Sequence, residues 1–151
     1  MNEEASMYQI DFQHPVHIYF IGIGGISMSG LAEILRTENF QVSGSDRAPS
    51  DLTHTLEAQG IKVLYGQKEE NITPDIDLIV YTSAIRPDNP ERVAADRLHI
   101  PMLTRAQLLG QMMKNYKTPI AISGTHGKTT TTSMVSEILL ENGSDPTLSI
   151  G

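Results

Sequence analysis

Short runs of β-branched and aromatic residues alternate along this chain with longer stretches whose apolar positions recur every three or four residues. Residues 16–21 (VHIYFI) end abruptly in glycines and predict a buried strand. Met28, Leu31, Ala32, Ile34 and Leu35 then predict an amphipathic helix to about Glu38. Residues 41–44 form a second short strand leading into Ser45 and Asp46, and Asp51 is placed to cap a helix that Gly60 stops. A third strand at 61–65 has alternating exposure; a fourth at 78–81 is continuously apolar and therefore central. Asn89 and Pro90 open a helix to about Leu98, with proline in the first turn. After a short strand at 100–103, Thr104 caps a helix carrying Leu108, Leu109, Met112 and Met113, a core or domain-seam cluster. Strands alternating with helices at this spacing predict an α/β fold: a doubly wound parallel sheet flanked by helices.

The polar stretch 115–118 before Pro119 marks a boundary, so residues 1–115 form one unit and 119–151 begin another. The same grammar restarts there. A strand at 119–123 leads into a glycine loop, and a helix from Thr129 places Met134, Val135, Ile138 and Leu139 on its apolar side. Asn142 and Gly143 end that helix, and 147–150 begin one more strand. The length of 151 residues suits one domain with a piece of a second.

Composition narrows the chemistry. The absence of cysteine removes disulfides, thiolate zinc sites, iron–sulfur clusters and cysteine nucleophiles. A net charge of −7 argues against a chain that tracks nucleic-acid backbone by bulk charge. No apolar run approaches the ~20 residues of a membrane span. The first fifteen residues carry Glu3, Glu4 and Asp11 without a basic cluster ahead of an apolar core, so they do not read as a signal peptide. The expectation is a cytoplasmic protein with neither a nucleic-acid nor a membrane partner. His14, His17, His54 and His99 have no metal-ligand spacing.

Two glycine loops carry the candidate chemistry. The first, Gly22-Ile23-Gly24-Gly25-Ile26-Ser27-Met28-Ser29-Gly30, turns from strand into helix, so backbone N–H groups and the helix dipole can meet a phosphate. Such a terminus favours an anion by only about 0.3–1 kcal/mol when exposed, so ring and ribose contacts must supply the rest. Ser27 stands where the third glycine of G-x-G-x-x-G belongs. The glycines could instead serve only to let strand and helix pack closely. Asp46 falls where an acidic residue meets a ribose hydroxyl, or is a plain turn aspartate. Ser83 follows the fourth strand at its carboxyl end, where α/β proteins hold ligands, or satisfies the strand end.

The second loop, Ser123-Gly124-Thr125-His126-Gly127-Lys128-Thr129, resembles a P-loop whose first glycine is replaced by Ile122. Its N–H groups can wrap a polyphosphate, Lys128 can face the β- and γ-phosphates, and Thr129 can offer a hydroxyl to Mg²⁺. His126 could touch a phosphate or only fill the loop.

Together and in this order, Gly22-Ile23-Gly24-Gly25 with Met28-Ser29-Gly30, Gly44-Ser45-Asp46, Tyr81-Thr82-Ser83-Ala84-Ile85 and Gly124-Thr125-His126-Gly127-Lys128-Thr129-Thr130 resemble the amino-terminal part of a Mur ligase. The likeness covers nearly the whole chain after about residue 14 and is greatest to members that join L-alanine to UDP-N-acetylmuramate. Members that attach recycled tripeptide to the same nucleotide sugar are similar in the second loop. The resemblance implies a Rossmann-like first domain that binds the UDP-sugar through Gly22, Gly24, Gly25, Ser27, Met28, Ser29, Ser45, Asp46 and Ser83. It implies a central domain that binds ATP and Mg²⁺ through Gly124, Thr125, His126, Gly127, Lys128, Thr129 and Thr130, with Thr129 on the metal. A third domain would bring L-alanine. The substrate carboxylate would attack the γ-phosphate, Lys128 would offset charge on the transferring group, and the amine would then displace phosphate.

Family members commonly have glycine at the position of Ser27 and a histidine near Gln67. A full ligase needs several hundred residues, so this chain is expected to bind the UDP-sugar without completing ligation. Residues 119–151 are then expected to pack on the first unit, pair with a second copy, or be mobile. Two further readings compete. A nicotinamide-dependent oxidoreductase would use the first loop and Asp46 but has no use for the second loop. A stand-alone module could hold a UDP-sugar without chemistry.

Overall fold

The five parallel strands lie in the order β3-β2-β1-β4-β5 in a computed structural model that describes residues 7–116. The chain runs β1 (His17–Ile21), α1 (Ile26–Thr37), β2 (Gln41–Asp46), α2 (Asp51–Ala58), β3 (Lys62–Tyr65), a 3-10 turn (Glu69–Asn71), β4 (Leu78–Tyr81), α3 (Pro90–Arg97), β5 (Met102–Thr104) and α4 (Arg105–Met113). It winds outward from β1 to β3, then returns to lay β4 on the other side of β1. The strand order reverses there, and such a switch point opens a crevice at the carboxyl ends of the strands. The expected second unit lies outside the described residues. So do its loop residues Gly124, Thr125, His126, Gly127, Lys128, Thr129 and Thr130, and the pairing ascribed to it.

All five residues of β1 are buried, because the strand is covered on both faces. Ile18 and Phe20 join one core with Met28, Leu31, Ala32 and Leu35 of α1 and Leu108 and Met112 of α4. Tyr19 and Ile21 face the opposite core with Ile79, Ala94 and Ala95 under α3. The three- and four-residue spacing in α1 therefore maps onto its buried stripe, while Leu109 and Met113 are only partly buried.

Helix starts follow local chemistry. Asn89 accepts from the N–H of Glu91 with Pro90 in the first turn, and Thr104 forms a reciprocal capping box with Gln107. At α2 the cap is Ser50 and not Asp51. Ser50 is extended (φ −150°) and accepts from the N–H of Thr53, whose hydroxyl accepts from the N–H of Ser50. Asp51 falls in the first turn, where its charge suits the helix dipole.

Two features had no counterpart in the hydrophobic pattern. The β3–β4 connection holds only the 3-10 turn, so part of the sheet face over β2 and β3 borders a cavity of about 560 Å³. On its wall the His17 ring lies 2.7 Å from the Ser43 hydroxyl and 3.1 Å from Asp75. The segment before β1 is a strap against the end of α4. Asn115 accepts from the N–H of Phe12 at 3.0 Å and donates to the carbonyl of Ile10 at 2.9 Å, while Phe12 meets Phe40 and Tyr116 edge-on. Removing that amide with Asn115→Ala is expected to cost about 1–2 kcal/mol. A lower urea midpoint with an unchanged slope is the measurement.

Candidate anion site at the carboxyl edge

The first glycine loop is folded by its own backbone onto β2. Gly22 adopts φ +83°, a conformation that favours glycine, and the N–H groups of Gly22 and Ile23 both donate to the carbonyl of Ser45 at 2.9 Å. The N–H of Gly24 donates to a carboxylate oxygen of Asp46 at 2.8 Å. Gly25 is the extended N-cap of α1 and contributes no side-chain cap. The first turn of a helix leaves donors without intrahelical partners. Among the described residues no acceptor engages the N–H groups of Ile26, Ser27 or Met28, and the ladder starts with Ser29 donating to Gly25. Three donors therefore face the crevice where strand order reverses.

The side chains expected to form this site are not all turned towards it. Met28 and Ser29 lie on the inward face of α1, with the Ser29 hydroxyl donating to the carbonyl of Ile26. Only their backbones face the loop. Ser45 is fully buried, and its hydroxyl donates to Glu91 at 2.7 Å. Alternation along β2 puts it inside the sheet's second face, which a motif read as a string of residues does not convey. Asp46 engages Gly24 with one oxygen and the N–H of Arg47 with the other. Ser83 is exposed in the turn after β4, close in sequence to a fixed point: Arg92 donates to the carbonyl of Ile85 and lies 4.2 Å over the Tyr81 ring.

Ser27 acquires a neighbour that sequence reasoning missed. Arg105, the first residue of α4, donates to the Ser27 hydroxyl at 3.1 Å across 78 positions. No acidic partner of Arg105 is found among the described residues. A cation in the first turn opposes the helix dipole, and that was the available signal for an anion nearby. A guanidinium has further donors in a planar fork suited to phosphate oxygens.

Behind the site sits Glu91, with none of its surface exposed. It accepts from the Tyr19 hydroxyl at 2.7 Å, the Ser45 hydroxyl at 2.7 Å and the Asn71 amide at 2.8 Å. Burial pushes its carboxyl above the usual carboxylate range, against the pull of those donors, and burial beside Glu91 raises the Tyr19 phenol.

A family profile described as the Mur ligase family, catalytic domain, matches residues 17–117, from β1 through α4. The UDP-N-acetylmuramate--L-alanine ligase of Agathobacter rectalis is 67% identical over 145 residues, covering 96% of this chain and 32% of that protein. The crystal structure of UDP-N-acetylmuramate-alanine ligase from Thermotoga maritima superimposes with a TM-score of 0.78 at 36% identity, over 84% of this chain and 30% of that one. The UDP-N-acetylmuramate:L-alanyl-gamma-D-glutamyl-meso-diaminopimelate ligase from Neisseria meningitides gives a TM-score of 0.78 at 32% identity, over 86% and 41%. This chain spans about a third of the length of the curated relative it matches.

Proposed function

The chain belongs to the Mur ligase family, and on that premise we propose that residues 7–116 hold the UDP part of UDP-N-acetylmuramate at the carboxyl edge of the sheet. In this reading they are the substrate-binding start of an ATP-dependent, cytoplasmic ligase that adds L-alanine to that nucleotide sugar in peptidoglycan precursor synthesis. One observation carries the binding role. The free N–H groups of Ile26, Ser27 and Met28 and the guanidinium of Arg105 converge on one side of the glycine loop. The diphosphate is the group they suit, since backbone donors and a bidentate cation together exceed what a helix terminus offers alone. The 67% identity to a relative named for L-alanine favours that amino acid over the tripeptide of the alternative ligase.

The bond-making steps are assigned to residues outside those described. Gly124, Thr125, His126, Gly127 and Thr130 would line the polyphosphate, with Thr129 on Mg²⁺. Lys128 would offset the charge on the phosphoryl group as the sugar's carboxylate takes it. The acyl phosphate so formed is then opened by the amine of L-alanine.

Calorimetric titration with UDP-N-acetylmuramate, UDP, NAD and ATP tests the reading. Micromolar-to-millimolar binding of the nucleotide sugar and of UDP is expected, with much weaker ATP binding. Tight NAD binding with no response to UDP overturns it. Arg105→Ala is expected to weaken UDP binding about tenfold, and more at low ionic strength, because one charge-assisted contact is lost.

A further inference from the structure

The cavity over β2 and β3 holds a constellation that the carboxyl edge does not use. His17 opens β1, Ser43 is the third residue of β2, and Asp75 belongs to the connection before β4. Parallel pairing sets His17 beside Gln41 and Tyr19 beside Ser43, and all four line the cavity. The His17 imidazole spans from the Ser43 hydroxyl, 2.7 Å from Nε2, to the Asp75 carboxylate, 3.1 Å from Nδ1.

Asp75 decides the roles of the two ring nitrogens. It accepts from the Thr73 hydroxyl, which holds its carboxyl below the usual carboxylate range, and His17 adds to the effect. An ionised carboxylate only accepts, so Nδ1 carries the proton of the neutral ring. The lone pair of Nε2 is left facing Ser43, whose hydroxyl donates to it. The backbone N–H of His17 donates to Asp77 at 2.8 Å, which fixes the strand start that carries the ring. A serine hydroxyl bonded to a base that a carboxylate orients is the arrangement that makes an alcohol nucleophilic.

Lys62 brings a cation to the same place. It is the register partner of Ser43 in the β2–β3 ladder, about 4.8 Å away between backbones, and it lines the cavity too. It forms no ion pair among the described residues. Tyr19, Leu64 and Ile76 add apolar wall, and about 560 Å³ gives room for a small uncharged molecule.

We propose that Ser43, His17 and Asp75 form a hydrolytic site, separate from the anion site, that cleaves small uncharged carboxylic esters in this cavity. Ser43 Oγ attacks the ester carbonyl carbon while its proton passes to His17 Nε2, and Lys62 offsets charge on the oxyanion. The bond to the alkoxide then breaks, and His17 hands the proton to the departing alcohol. Water repeats the sequence on acyl-Ser43, which releases the carboxylic acid and restores the hydroxyl. Asp75 touches no substrate; it is the positioning residue for the ring.

The 151-residue chain and p-nitrophenyl acetate test it. Nitrophenol release is followed by absorbance, and the acetyl group is located by peptide mass mapping after an acid quench. Acetyl on Ser43 is expected, with release about a hundredfold faster from the folded chain than from the chain in urea. Ser43→Ala is expected to abolish both signals. Asp75→Asn is expected to lower kcat about tenfold with KM within about twofold, because the ring loses its orientation and not its substrate.

Asp75 is exposed, so Asp75→Asn spares the core and decides the matter if Ser43→Ala does not fold. Acetyl found only on lysines or the amino terminus overturns the proposal, as does a rate that urea leaves unchanged. Acetyl that stays on Ser43 without turnover overturns the hydrolytic step. Asp75→Asn with wild-type kcat means the three side chains only brace the sheet, and the proposal falls.

Discussion

Gly44→Ala is expected to destabilise the domain by about 3 kcal/mol, the upper end of the cost of overpacking a well-filled core. A methyl group there would sit 2.5 Å from the carbonyl oxygen of Phe20 and 2.8 Å from Cβ of Ile23. Neither can retreat. Phe20 is the register partner of Gly44 in the β1–β2 ladder, and Ile23 is fully buried beneath the glycine loop. Gly44 therefore creates the space into which the loop's first apolar side chain drops. Urea unfolding of the variant, read as midpoint and slope, is the check, and a midpoint equal to wild type would show that the ladder yields more than its register suggests.

The second large effect separates two adjacent glycines. A Cβ on Gly24 would lie 2.6 Å from a carboxylate oxygen of Asp46 and 2.9 Å from Cγ2 of Thr53. Thr53 is fully buried, and Asp46 is held by the N–H groups of Gly24 and Arg47, so neither moves cheaply. Gly24→Ala is expected to lower stability and also to weaken UDP binding by about a hundredfold, because the loop loses its bond to Asp46 and its donors lose their aim. At Gly25 the nearest atom to a new Cβ is 3.6 Å away, and its φ of −64° suits any residue. Gly25→Ala is therefore expected to leave stability unchanged and to weaken UDP binding about tenfold by crowding the phosphate. If Gly25→Ala binds UDP like wild type, that glycine serves no ligand. The packing explanation of the motif would then account for the loop unaided.

Periodicity located α1 and the apolar strands, because each buries a face whose spacing is written in its apolar residues, while α2 and α3 were placed by their cap, proline and glycine signals. The caps at Asn89 and Thr104 were legible from local chemistry for the same reason. At α2 the expected cap Asp51 was displaced by one residue, because the backbone that is extended is that of Ser50. What the sequence hid is long-range. Arg105 meets Ser27 across 78 positions, and Glu91 meets Ser45 across 46. Nothing local says that α3 delivers a carboxylate to the ends of β1 and β2. The three residues of the motif Gly44-Ser45-Asp46 do different work at the end of β2. One makes room, one turns inward to a buried acid, and one holds the glycine loop.

The strap has a mechanical consequence. Phe12 and Tyr116 stack edge-on with ring centres 5.5 Å apart, so the described segment is entered and left at one corner. Phe12 also meets Phe40, which precedes β2, so that corner lies at the amino-terminal edge of the sheet, opposite the glycine loop. Tension applied between these two points loads the Asn115 amide bonds and the aromatic contact before it reaches any strand of the sheet. Joining the ends with a short linker and reopening the chain in the exposed turn at 86–88 should yield a circular permutant whose glycine loop and Arg105 keep their relation.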